Sequence, residues 1–238
     1  MDTESVRQHF RTQVSDYAGL MTRLIPFYDE QRDMIVRFVP FTRTDPLEVL
    51  DLGCGSGLLA ARILAEYGHA HLTAFDLTQE MLDSCRLRLT GHDRVTYRLG
   101  DFRTDELGSQ YDLIVASLSL HHLQLSERPG FLHRAYDSLK GGGVLIASEV
   151  IVDESPSVRE YQDQLWREFM TENGEDGMAW YRKHLEKDHP VPISLLLSML
   201  GGSQACCFWQ LVADDGVCGR TAGQHGHERD ALWQRKND

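Results

Sequence analysis

The chain has 238 residues, 42% of them apolar and 25% charged, with a formal charge of −12; this is the balance of one globular domain with a sizeable core, not of a disordered chain. No basic stripe offsets that charge, since the nearest cluster, Arg182-Lys183-His184, is followed by Glu186 and Asp188, which argues against a nucleic-acid substrate. Apolar runs as short as Val144 to Ala147, a polar start from Met1 to Gln8, and five cysteines (Cys54, Cys85, Cys206, Cys207, Cys218) with no CxxC pair point to a cytoplasmic protein with reduced thiols and no membrane contact.

Residues 5–39 carry helical periodicity, broken at Pro26 and closed by Pro40. Glu48 to Leu52 reads as a short apolar strand, followed by a glycine-rich turn and a helix from Leu58 to Tyr67. A second strand is predicted from Leu72 to Asp76. A helix from Gln79 to Leu89 comes next, with Met81, Leu82, Cys85 and Leu89 on one face. Val95 to Leu99 and Tyr111 to Ser117 read as strands three and four, and Glu127 to Leu139 as a helix ended by Gly141-Gly142-Gly143. Val144 to Val150 is the fifth strand. Residues 152–190 read as helical and rich in large side chains, among them Trp166, Met170, Trp180 and Tyr181. A short helix from Ile193 to Leu200 and a strand from Cys206 to Val212 come after them. From Thr221 the chain is polar and reads as a frayed tail.

Strands alternating with helices imply parallel βαβ units, and strands apolar throughout, such as Leu113-Ile114-Val115-Ala116, suit a sheet covered on both faces. A doubly wound fold of this kind takes its ligand beyond the carboxyl ends of the strands. There the strongest motif falls: Asp51-Leu52-Gly53-Cys54-Gly55-Ser56-Gly57. Its alternating glycines permit positive φ and close approach of a ligand, and the helix that follows offers free N–H groups. A dinucleotide site prefers GxGxxG, but Leu58 stands where the third glycine of that pattern would be. Asp51, two residues before Gly53, suits a ligand bearing an ammonium group better than a pyrophosphate.

The stretch from Asp51 to Gly57 resembles the first motif of the class I S-adenosylmethionine (SAM)-dependent methyltransferases, and the resemblance continues in order to about residue 150. Phe75-Asp76-Leu77 with Met81 is similar to the second motif, whose acid takes both ribose hydroxyls; Asp76 read alone could equally cap a helix. Gly100-Asp101-Phe102 is similar to the third, whose acid contacts adenine, with a plain turn as the other reading of Asp101. Tyr111 to Ser117, then Leu118 to Leu123, resembles the fourth. The resemblance implies a doubly wound α/β fold with a mostly parallel seven-stranded sheet, N-terminal helices and a helical lid. It divides residues 1–220 into a cap (1–40), a cofactor core (48–150) and the lid (152–190), with a flexible tail at 221–238. It implies SAM as cofactor, held by Asp51, Gly53, Cys54, Gly55, Gly57, Asp76, Leu77, Met81, Asp101, Phe102 and Ser117. Tyr17 and Arg23 join that set through likeness to a narrower group related to the carboxy-SAM synthases. Those synthases use an arginine in a late helix; here that helix, Ile193 to Leu200, has no basic residue, which argues against carboxy-SAM synthesis.

A sulfonium methyl is an activated donor, so alignment of an acceptor is the main catalytic demand, and a base is needed only if the acceptor loses a proton. His121 and His122 follow strand four at the mouth of the site and are the candidates, His122 ahead; otherwise they hold the loop by hydrogen bonds or touch the cofactor. A small-molecule acceptor is the expected partner, with an RNA-modifying enzyme and a non-catalytic SAM-binding protein as the competing classes. The oligomeric state stays open, a homodimer included. Cys206-Cys207 reads as strand packing, and His225 and His227 fall in the polar tail, so no metal is expected.

Overall fold

The computed structural model describes residues 17–199, together with the backbone of 206–209 and 219–222. Helices α1 (Tyr17–Leu24) and α2 (Tyr28–Phe38) are separated at Pro26, as expected. Strands β1 (Glu48–Leu52), β2 (His71–Asp76), β3 (Val95–Leu99), β4 (Tyr111–Ser117) and β5 (Leu139–Ser148) alternate with α3 (Leu58–Glu66), α4 (Gln79–Arg88) and α5 (Arg128–Asp137). The five strands form one parallel sheet in the order β3-β2-β1-β4-β5. The order reverses between β1 and β4, so their carboxyl ends flank the crevice where such folds bind ligands.

Successive apolar residues of the strands serve opposite faces. Val49, Leu72 and Leu113 join Ile35, Ile63 and Leu82 in one core. Leu50, Phe75, Ile114 and Leu145 join Phe131 and Leu196 in the other. This is why the strands read as unbroken apolar runs.

The structure corrects the sequence reading in three places. The glycines 141–143 do not end a helix; they lie inside β5. Tyr111 pairs with Leu139 and Leu113 with Val144, so residues 140–143 form a bulge, with Gly142 at φ +85. Among the described residues the main sheet has five strands where seven are expected, and β6 (Cys206–Trp209) and β7 (Gly219–Ala222) pair antiparallel with each other. The backbone of β6 comes close to β5 without joining its ladder. Thr221 and Ala222, expected in the tail, are part of that strand; residues 223–238, with His225 and His227, lie outside the described residues.

After β5 come α6 (Pro156–Glu172), α7 (Gly177–Lys187) and α8 (Ile193–Met199). A Cβ on Gly177 would stand 2.3 Å from the Arg167 carbonyl oxygen, so α6 and α7 meet at a distance only glycine allows. The pair packs onto α1 through Trp166 Nε1, which donates to the Leu24 carbonyl at 2.7 Å, and through the Arg23–Glu175 ion pair at 2.8 Å.

Candidate functional site: a glycine-turn cleft joined to an apolar chamber

The turn after β1 is held from three sides. Gly53 and Cys54 donate their N–H groups to the Phe75 carbonyl at 2.8 and 3.1 Å. Gly55 N–H donates to Asp76 Oδ2 at 2.8 Å, and the Thr78 N–H and hydroxyl donate to Asp76 Oδ1 at 3.0 and 3.2 Å. Gly53, Gly55 and Gly57 lie at φ +71, +51 and +79, the left-handed region that L side chains avoid. Space adds to that demand: a Cβ on Gly53 would sit 2.6 Å from Ser119 Cβ, and one on Gly57 2.7 Å from Cys85 Sγ.

The turn lines a cleft of about 400 Å³, counting its mouth, with Asp51, Arg32, Tyr17, Ser117 and the first residues of α3 around it. Two opposite charges there lack full satisfaction by the protein. Asp51 is buried and its Oδ2 accepts no hydrogen bond. Burial pushes its carboxyl up to about 7, with the nearby Asp76 carboxylate adding to the rise. Arg32 is 2% exposed; Nη2 donates to Asp29 and the guanidinium stacks 3.5 Å above the Tyr28 ring, while Nε and Nη1 are buried without a hydrogen-bond partner. Buried unpaired donors and acceptors are costly, and here a carboxylate and a guanidinium together complement the ammonium and carboxylate of an amino acid. The donor set therefore fits the methionine end of SAM.

A second, larger cavity of about 850 Å³, counting its mouth, adjoins this cleft. Met21, Leu24, Ile25, Val150, Trp166 and Met170 make it apolar, the usual character of an organic-ligand site. Tyr17 and Leu118 line both spaces. Leu118 is at φ +54, a costly conformation for a side chain of its size and one that clusters at functional sites.

One wall of this chamber is a chain of histidines and carboxylates. Glu149, at the end of β5, accepts the backbone N–H groups of Ser119, Leu120 and His121 at 2.9, 2.6 and 3.0 Å, and its Oε2 stands 2.7 Å from His121 Nδ1. Burial alone would raise the Glu149 carboxyl, but His121 and the backbone donors outweigh it and hold it below its ordinary value. Burial likewise opposes charging His121, yet Glu149 and Asp188 prevail and raise its pKa. Burial, followed by the neighbouring His121, holds His122 below its ordinary value. Asp188 Oδ1 stands 2.9 Å from His122 Nδ1 and Oδ2 stands 2.7 Å from His184 Nδ1. These partners, with His121, overcome its burial and hold its carboxyl well below the usual range.

The expected site residues divide between places. Asp51, Gly53, Cys54, Gly55, Ser117 and Tyr17 line the cleft, and Gly57 closes the turn. His121 and His122 line the chamber. Phe102 packs on Phe131 and comes within 4.0 Å of the Gly53 Cβ position. Met81 is buried on α4 behind the turn, and Leu77 is half-buried. Asp101 is engaged by Arg103, whose Nε and Nη2 both reach its carboxylate. Arg23 pairs with Glu175 away from both cavities, and Arg32 is the arginine at the cleft. Sequence reasoning missed Arg32, Glu149 and Asp188. A signal existed for the first two: Arg32 stands three residues before Ile35 on the buried face of α2, and Glu149 is an acid closing an apolar strand, as Asp51 and Asp76 do.

A parallel five-stranded sheet with an amino-acid-complementary cleft at the switch between β1 and β4 suits an α/β protein that binds a nucleoside-linked amino acid. Residues 49–143 match the methyltransferase domain family. The chain is 24% identical over 178 residues to a carboxy-S-adenosyl-L-methionine synthase of Shewanella loihica, covering 73% of each chain. It is 29% identical over 194 residues to a trans-aconitate 2-methyltransferase of Rhizobium rhizogenes, covering 78% of this chain and 69% of that one. In fold it is similar to the DhpI-SAM-HEP complex, with a TM-score of 0.54 and 21% identity over 66% of this chain and 70% of that one. The domain match and these relatives support a SAM-dependent methyltransferase of class I, distantly similar to the carboxy-SAM synthases.

Proposed function

We propose that this chain is a cytoplasmic enzyme that methylates a small molecule with an apolar body, bound in the chamber beside the glycine turn. The observation that carries this reading is the junction at Tyr17 and Leu118, where the cleft that suits SAM opens into a separate apolar space. SAM, when bound, supplies a methyl group on a positively charged sulfur. The protein's part is to hold it, orient an acceptor and exclude water. In this reading Asp51 takes the ammonium and Arg32 the carboxylate. Gly53, Cys54, Gly55 and Gly57 let the backbone come close, and Ser117 and Tyr17 close the cleft. Asp76 fixes the turn through Gly55 and keeps the second lone pair of Oδ2 for a ribose hydroxyl. Leu77, Met81, Asp101 and Phe102 shape the side toward the adenosine, while Arg23 braces α1 against the segment 152–190. That segment acts as the lid, and residues 1–220 work as one domain. Of the two histidines, His122 faces the acceptor; His121 holds the wall. The relatives support a small acceptor by their names, and α8, with no basic residue, stands apart from carboxy-SAM synthesis. The face of Trp180 already carries the Lys183 ammonium 3.9 Å from its centroid, so an apolar acceptor suits the chamber better than a cationic one.

Calorimetry with SAM or its demethylated product tests the cofactor half of the proposal, and its pH dependence tests Asp51. The free protein holds this carboxyl protonated up to about pH 7, whereas an ammonium beside it favours the ionised form. Binding therefore releases a proton below that value. Affinity should rise with pH by up to about tenfold per unit and level off near 7, and Asp51→Asn should abolish the slope. A flat profile in the wild-type chain would remove Asp51 from the ammonium site.

The acceptor half is tested at Trp166, which lines the chamber and not the cleft. With an acceptor found by screening, Trp166→Ala should lower turnover by at least about tenfold, because small misplacements are costly in rate, while SAM affinity stays within twofold. Tyr181 lies behind it, bonded to Asp163 at 2.6 Å. Unchanged turnover in Trp166→Ala would make the segment scaffold and move the acceptor wall to α1.

A further inference from the structure

We propose that His121, His122 and Asp188 form a binding site for a divalent transition-metal ion in the wall of the chamber. Their donor atoms converge: Asp188 Oδ1 is 2.9 Å from His122 Nδ1 and 3.8 Å from His121 Nε2, and one ligand atom from each residue lies within 4.8 Å of the others. Ligands on one ion at about 2.0–2.2 Å stand roughly 3–3.5 Å apart, so shifts of about half an ångström to one ångström close the set. His121 is oriented for the task. Glu149 is itself fixed by three backbone N–H groups and takes the Nδ1 side of the ring at 2.7 Å, which turns Nε2 toward Asp188. A carboxylate behind a histidine in this way fixes the tautomer and strengthens the other nitrogen as a ligand. The second oxygen of Asp188 is steadied by His184 Nδ1 at 2.7 Å. Two imidazoles and one carboxylate select zinc-like or ferrous-like ions over magnesium or calcium, which prefer all-oxygen shells.

All three residues line the chamber, so three protein ligands would leave a coordination position open toward it. An ion there would polarise an acceptor oxygen and ease loss of its proton, with His122 a ligand rather than the base. Only this last role rests on the chamber's being the acceptor site; binding of the ion does not.

The test uses the full chain after chelator treatment, titrated with Co²⁺ by visible absorption and with Zn²⁺ by calorimetry, with the demethylated product of SAM titrated into the same samples. One equivalent of metal with the d–d bands of a low-symmetry site is expected. Asp188→Asn and His122→Ala should each weaken it by at least about a hundredfold, while binding of the demethylated product stays within twofold. His122→Ala removes a half-buried side chain and guards against misfolding of the Asp188 variant, with circular dichroism as the check. Absence of binding at millimolar metal, or equal affinity in either folded variant, overturns the site and leaves a histidine–carboxylate hydrogen-bond network in its place. Metal binding in a protein that does not bind the demethylated product would instead count against the cofactor cleft alone.

Discussion

Glu149→Ala is expected to lower the stability of this protein by about 3–5 kcal/mol, the cost of leaving a buried charge without its partner. The carboxylate is 6% exposed and accepts three consecutive backbone N–H groups besides facing His121 Nδ1. Alanine would strand all of these donors in the interior, where each unsatisfied group costs about 1–3 kcal/mol. Glu149→Gln, which keeps an acceptor oxygen, should lose less. The pH dependence follows from the two shifts. Glu149 is held below its ordinary 4.5 in the fold, so its contribution is present above that value and lost as pH falls through the lowered one. His121 is raised above its ordinary 6.5, so its contribution is complete below 6.5 and lost as pH rises through the raised value. The wild-type advantage over Glu149→Gln should therefore be greatest between about pH 4.5 and 6.5. Urea unfolding at several pH values measures it. A loss under 1 kcal/mol in Glu149→Ala would mean that water reaches these donors and the wall is not closed.

Asp76→Ala should weaken SAM binding by about a hundredfold or more while the sheet stays folded. The carboxylate accepts from Gly55 N–H and from both donors of Thr78, so its removal frees the turn and the start of α4 together. It also removes the acceptor proposed for the ribose. Hydrogen bonds to a charged group are worth about 1.5–3 kcal/mol each, and losing two of them accounts for the expected factor. Part of the loss is offset, because Asp76 raises the Asp51 carboxyl and its removal makes Asp51 easier to ionise. The pH profile of SAM binding should accordingly shift to lower pH in Asp76→Ala. Wild-type affinity in a folded variant would mean that neither the turn nor the ribose depends on this residue.

The core of the fold was legible residue by residue. β1, β3 and β4 have the bounds read from the sequence; for β1 and β4 this is because a strand covered on both faces is apolar nearly throughout, while β3, at the sheet edge and partly exposed, is bounded by the turns on either side. The glycine turn was legible for a similar reason. Positive φ at Gly53, Gly55 and Gly57 is a backbone demand met within seven residues of chain, so it is written where it acts. The three glycines 141–143 carried the same local signal and misled, because a β-bulge and a helix stop ask for the same residue.

The local chemistry of the chain therefore decided the parallel sheet, the turn at its switch point and the acid that precedes it, and with them the class of cofactor. Tertiary packing alone decided that Arg32 rather than Arg23 reaches the cleft, and that Asp188, at the end of α7, meets His121 and His122. Glu149 and His121 are 28 residues apart, and Trp166 and Leu24 are 142 apart. No period or spacing links such pairs. Burial leaves polar groups no solvent to fall back on, so each must find its partner in whatever the fold brings beside it. That is a property of the packed molecule and not of any stretch of its sequence.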